Sequence, residues 1–204
     1  MGLGEIVLIP LLGFSLVAIA LIIERCIFWW RIQKFQEPII KEFLTQYQSN
    51  SQTNFTLLEN GSHFPLPRIF LTALELNHPT PEEFRLALET AAQAELTILK
   101  RFNTVFETII NIAPLLGLLG TILGLIEAFA ALQLGDLNNT NTAGVTGGIS
   151  DALITTVAGL VVAIFTLLFA NTFRGLYRRQ LTTIQKYGGK LELLYRHYYQ
   201  LNKS

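Results

Sequence analysis

Three apolar runs, each near the length a bilayer demands, constrain this chain more than anything else in it. Residues 6–23 carry no charge and end at Glu24 and Arg25. Residues 109–134 are interrupted only by Glu127, and residues 147–170 only by Asp151. A membrane-spanning helix needs ~20 predominantly apolar residues. In hydrocarbon a segment must satisfy its own backbone hydrogen bonds, which favours the α-helix. The expected fold class is an all-α integral membrane protein with three transmembrane helices. The second and third are expected to extend into the cytoplasm. Composition agrees: 15% of residues are charged and the mean hydropathy is +0.41, against about 25% charged residues in a soluble domain.

Orientation follows from lysine and arginine. Residues 31–103 carry seven of them, residues 173–204 carry seven, and residues 135–146 carry none. Positive residues favour the cytoplasmic side. The expected layout is an N-terminal transmembrane helix at 1–30 and a cytoplasmic helical domain at 31–103. A second span at 104–134, a short outer connector at 135–146 and a third span at 147–172 follow. A cytoplasmic C-terminal helix occupies 173–204. Trp29 and Trp30 suit an aromatic anchor at the inner interface. No Lys or Arg precedes the first run and no small-residue cleavage site follows it, so it is expected to persist as a span.

Local patterns add detail. Ile32, Phe35, Ile39 and Phe43 recur at helical spacing, predicting an amphipathic helix over 31–47 with Pro38 as a kink. Residues 48–67 are polar and predict a loop. Residues 68–76 predict a short helix, and 77–81 punctuate the chain. Thr80 followed by Pro81, Glu82 and Glu83 is a helix start. No stop follows before Gly135, so 82–134 predicts one long helix. Its stripe is Phe84, Leu88, Ala91, Glu95, Ile98, Phe102, Val105 and Ile109. The third run predicts a helix onward through Phe173, Leu176, Leu181 and Ile184, interrupted at Gly188 and Gly189.

The chemistry these residues allow is narrow. Lys plus Arg and Asp plus Glu each total 15, so charge implies no nucleic-acid partner. The single cysteine, Cys26, excludes an internal disulfide. His63, His78 and His197 lack metal-ligand spacing. No nucleophile–base pair and no phosphate loop appears, so neither an enzyme nor a cofactor is expected. Asp151 stands out instead, because a carboxylate at membrane depth costs ~2.5–3.5 kcal/mol on insertion scales. Either it faces a cavity, partner or ion path, or it complements a helix dipole at the outer interface. Thr155 and Thr156 follow it, and Thr121 lies in the second run. Threonine in a membrane helix commonly bonds its own backbone one turn earlier, yet its hydroxyl can also hold water or a carboxylate. Gly117, Gly120 and Gly124, with Gly159 in the third run, are small residues that let helices approach closely. Pro114 removes one helix hydrogen bond. Glu107 is a candidate pore mouth, or else a partner of Arg101 or Arg174.

The segment APLLGLLGTILGLIEAF, followed after a short connector by GGISDALITTVAGLVVAI, resembles the signature spans of the MotA/TolQ/ExbB proton channel family. The ExbB/TolQ branch fits in order, spacing and topology across most of residues 100–175. The resemblance implies an inner-membrane subunit with a periplasmic N-terminus and a cytoplasmic C-terminus. It implies a homo-oligomer, a pentamer, enclosing a one-span ExbD- or TolR-like partner. A TonB- or TolA-like protein would receive the work. Thr121 matches the family's threonine in the second span and Thr156 that of the third. Asp151 stands where the family usually has Glu, one methylene longer. The essential proton-cycling aspartate belongs to the partner. A MotA-type stator fits less well, since that branch has four spans. A TolQ-type subunit, a gliding motor and a non-conducting membrane scaffold remain the alternatives.

Overall fold

A computed structural model describes residues 6–49, 55–134 and 142–201. Every described element is helical: α1 (Leu8–Arg31), a π-helical turn (Ile32–Gln36), α2 (Glu37–Ser49), α3 (Thr56–Asn60), α4 (Pro65–Leu74), α5 (Pro81–Leu99), α6 (Asn103–Leu134) and α7 (Thr142–Leu201). Three helices are long and apolar enough to cross a membrane. The chain is a multi-pass membrane protein with an all-α fold. Most of the expected connector, 135–141, lies outside the described residues, as does 50–54 of the expected loop. The rest of that loop contains α3 and the start of α4.

The chain divides into two compact units, Met1–Glu24 with Phe102–Thr172, and Arg25–Arg101 with Phe173–Ser204. All fifteen Lys and Arg residues fall in the second. In the first, Leu11 of α1, Ala113 of α6 and Ala163 of α7 are buried together, with Leu8, Leu116, Ala158 and Val162 packed on them. Large side chains there point outward: Leu16 is 69% exposed and Leu115 63%. That surface suits lipid, which solvates leucine as well as a protein core does.

The second unit has an aromatic core. Phe43, Phe70 and Phe84 are fully buried. Phe43 packs on Phe70 and Tyr47, and Phe84 stacks on Tyr195 with ring centroids 4.0 Å apart. Tyr195 donates to the Pro79 carbonyl at 2.6 Å, and Tyr198 donates to the carbonyls of Tyr47 and Gln48. Gln36, buried in the π turn, accepts from the Leu66 amide at the start of α4 and from Gln180 of α7, both at 3.2 Å. One side chain thus satisfies an orphan N–H of a helix N-terminus. Tyr187 donates to Glu37 at 2.7 Å. That bond, with help from Lys41, holds the Glu37 carboxyl below its ordinary range. Burial, and then the same bond, push the Tyr187 phenol up to about 12.

Several local expectations are corrected. Residues 82–134 are not one helix. α5 ends at Leu99, Phe102 takes φ 69°, and α6 begins at Asn103. A non-glycine residue in the left-handed region breaks the ladder and resets the phase. After the break Phe106 is buried and Val105 exposed; before it, Leu99, one turn beyond buried Glu95, is buried in place of Ile98. Glu95 sits in the buried stripe because it pairs with Arg68 at 2.7 Å. The stripe after α1 is also rotated. Ile32 and Phe43 are buried as expected, but Gln36 and Ile40 replace Phe35 and Ile39. The π turn inserts one residue per turn and advances the buried face by one. It ends two residues before Pro38, which has no N–H to give to a regular turn. Gly188 and Gly189 do not interrupt α7. Buried Tyr187 and Leu191 on either side anchor that stretch. The Thr80 start is a full capping box: the Glu83 amide donates to the Thr80 hydroxyl, and the Glu83 carboxylate accepts from the Thr80 amide at 2.7 Å.

Candidate functional site

The first unit brings α6 and α7 together along a row of small residues. A side-chain carbon added at Gly159 would lie 2.5 Å from the Ala113 carbonyl oxygen and 3.1 Å from Gly117 Cα. At Gly117 it would lie 2.8 Å from the Thr155 carbonyl, and at Gly120 2.6 Å from the Thr155 hydroxyl. At Gly124 it would meet Ala152 Cβ at 2.8 Å, and at Gly148 Ala128 Cβ at 3.0 Å. At Gly117, Gly120, Gly124 and Gly159 an added carbon would force the neighbouring helix to shift, and at Gly148 it would be a tight fit. The sequence signals the row through small residues three and four apart on both helices. Ala113, Ala128, Gly148 and Ala152 belong to the same row. Pro114 lies inside α6 without ending it.

Close approach exposes backbone carbonyls to hydroxyls across the gap. The Gly117 carbonyl accepts from Thr121 of its own helix and from Thr155 and Thr156 of α7, each at 3.1 Å. The Ala152 carbonyl accepts from Thr155 at 2.7 Å and Thr121 at 3.2 Å. The Thr121 and Thr156 hydroxyls also bond each other across the helix pair. Three hydroxyls thus share two carbonyls and one another. Each hydroxyl has one proton and two lone pairs, so the cluster has more than one self-consistent arrangement of donors. Thr155 is buried, while Thr121 and Thr156 are partly exposed. A fourth hydroxyl, Thr166, is buried and bonds the Val162 carbonyl at 2.7 Å. Nothing in its local sequence distinguished it.

Asp151 lies on α7 one turn before Thr155. It is past the second turn of a helix that begins at Thr142, not in its first turn. Its side chain is exposed in a single copy of the chain, whereas Ala152 and Thr155, its neighbours on α7, are buried against α6. Glu107 and Glu127 are exposed on α6. The structure therefore gathers Thr121, Thr155, Thr156 and the glycines, and leaves Asp151 and Glu107 outside that cluster.

Residues 62–186 match the MotA/TolQ/ExbB proton channel family. The match reaches well beyond the two signature spans into α4 and α5. An ExbB-like biopolymer transport protein of Synechocystis sp. is 57% identical over 96% of this chain and 93% of its own length. A second from the same organism is 38% identical over 95% of this chain and 76% of its own length. The biopolymer transport protein ExbB of Salmonella typhimurium is 34% identical over 48% of this chain and 40% of its own length. Three apolar helices, a glycine-lined seam between α6 and α7 and these matches converge: the chain belongs to the MotA/TolQ/ExbB proton channel family, in its ExbB branch.

Proposed function

We propose that this chain is the channel-forming subunit of an ExbB-type inner-membrane motor that uses the proton motive force to drive TonB-dependent outer-membrane transport. Its N-terminus is periplasmic and its C-terminus cytoplasmic, supported by the confinement of all fifteen Lys and Arg residues to one unit. Copies assemble as a ring, a pentamer, around a one-span ExbD- or TolR-like partner, and a TonB- or TolA-like protein receives the work. Thr121, Asp151, Thr155 and Thr156 line the proton path. Pro114, Gly117, Gly120, Gly124 and Gly159 set the spacing of the helices, and Glu107 marks the cytoplasmic mouth.

One observation carries the proposal. Asp151 lies in an apolar helix, on the face that a single copy leaves exposed. A carboxylate there is costly against lipid, so another copy or a partner must cover that face. The adjoining hydroxyl cluster, with its interchangeable donors, suits relay of a proton. The same cluster also favours a second reading, a non-conducting scaffold, because every hydroxyl finds an acceptor within one copy.

Proton flux in proteoliposomes holding this chain with its one-span partner separates the two. Asp151→Asn keeps shape and removes the charge. Thr156→Val keeps volume and removes the hydroxyl. Relay residues predict loss of flux with unchanged complex abundance, and retained flux in Asp151→Glu. Full flux in Asp151→Asn would sink Asp151 as a relay. Wild-type flux no greater than that of empty vesicles would leave the scaffold.

A further inference from the structure

The second unit carries an apolar groove of about 700 Å³ between α4 and α5. Leu76 and Leu86 stand on its rim, 43% and 61% exposed. At its floor the Glu95 carboxylate, 9% exposed, pairs with Arg68 at 2.7 Å. Glu75 and Glu83 also line it, so the groove's outward charge is negative. Leucine rims outside the apolar spans face water, and such patches mark interaction surfaces.

The same unit presents a matching surface on α7. Lys186, Lys190, Leu193, His197 and Leu201 follow at intervals of four, three, four and four residues, which keeps them on one helical face. All five are exposed, with Leu193 at 70% and Leu201 at 57%. One end of this face is basic and the rest largely apolar. The opposite side of α7 is already fastened within its own copy: Leu191 is buried, Tyr195 bonds the Pro79 carbonyl, and Arg196 pairs with Glu82. The exposed face is therefore accessible to another chain.

We infer that the α4–α5 groove of one copy receives the Lys186–Leu201 face of α7 from a second copy. An amphipathic helix laid in an apolar groove is a common docking mode. Here the signs match as well, lysines against Glu75 and Glu83, which fixes register and partner. The contact joins two different surfaces, so it repeats head to tail and closes into a ring when the rotation allows. The inference rests on the homo-oligomer proposed above and assigns one of its contacts.

The test uses the full chain, purified in mild detergent from a Cys26→Ser background. Ala87→Cys with Leu193→Cys should give an oxidative cross-linking ladder that ends at the closed ring. Neither single cysteine should give it. Glu75→Lys or Lys190→Glu alone should lower its yield several-fold, and the two together should restore it. An oligomer by native mass spectrometry, without a ladder above the single-cysteine controls, overturns the groove contact and leaves the oligomer standing. A monomer throughout overturns both. Cross-linking of the groove to a different protein instead of a second copy also overturns the inference.

Discussion

The two units of this chain solve the same packing problem with opposite materials. In the first, helices meet through glycine and alanine, while leucine, isoleucine and valine face outward. In the second, helices meet through phenylalanine, tyrosine and leucine, and nearly all the charge is outside. Among the largest fully buried side chains of the described residues, only Phe106 and Ile109 belong to the first unit. The difference is one of solvent. Water drives large apolar side chains inward. Lipid gives no such drive, so helices associate where backbones approach closely and hydroxyls find carbonyls. The glycine seam that positions Thr121, Thr155 and Thr156 is a consequence of that second rule.

Four substitutions would break or sharpen the contrast. The largest effect is expected from Gly159→Leu. Even its first carbon meets a backbone oxygen at 2.5 Å, and backbone cannot step aside. Folded yield by size-exclusion chromatography in detergent should collapse. Gly13→Leu should leave it unchanged, because nothing lies within 4 Å of that position. Equal tolerance of both would end the claim that the first unit is held by close approach. Next is Phe84→Ala, which empties a fully buried, stacked site. It should cost ~3–5 kcal/mol, read as a lower melting temperature. Arg68→Ala follows. It strips the partner from a carboxylate that is 9% exposed, and should cost about 2 kcal/mol, typical of a lost hydrogen bond to a charged group. Arg68→Lys should recover part of that loss. The smallest change is a gain. Gly188→Ala adds a carbon into open space inside α7, and should stabilise by ~0.8–1 kcal/mol through helix propensity. A loss there would mean that the glycine serves a close contact with another chain.

Legibility in the sequence tracked the range of the forces involved. Apolar length and helix-start residues act locally, and they announced three spans and the helix start at Thr80. The buried phase of a helix depends on every residue before it. A single π turn at Ile32–Gln36 and the left-handed Phe102 each shifted that phase, so Gln36, Ile40 and Phe106 replaced the expected neighbours. Gly188 and Gly189 read as a break because propensity alone disfavours them. Buried Tyr187 and Leu191 hold the helix through them.

By itself, the order of residues determined an all-α membrane protein, the separation of basic from apolar segments, and a glycine–threonine pattern typical of one channel family. These depend on composition and on periods of a few residues. Only the tertiary structure decided that Gly117 offers its carbonyl to three threonines, that Asp151 stays exposed in a single copy beside them, and that Glu95 is buried against Arg68. Each of those joins groups far apart in the chain or selects one side of a helix. The reason is geometric: a hydroxyl's partner is set by how closely and in what rotation two helices cross, and neither quantity is written in a single segment.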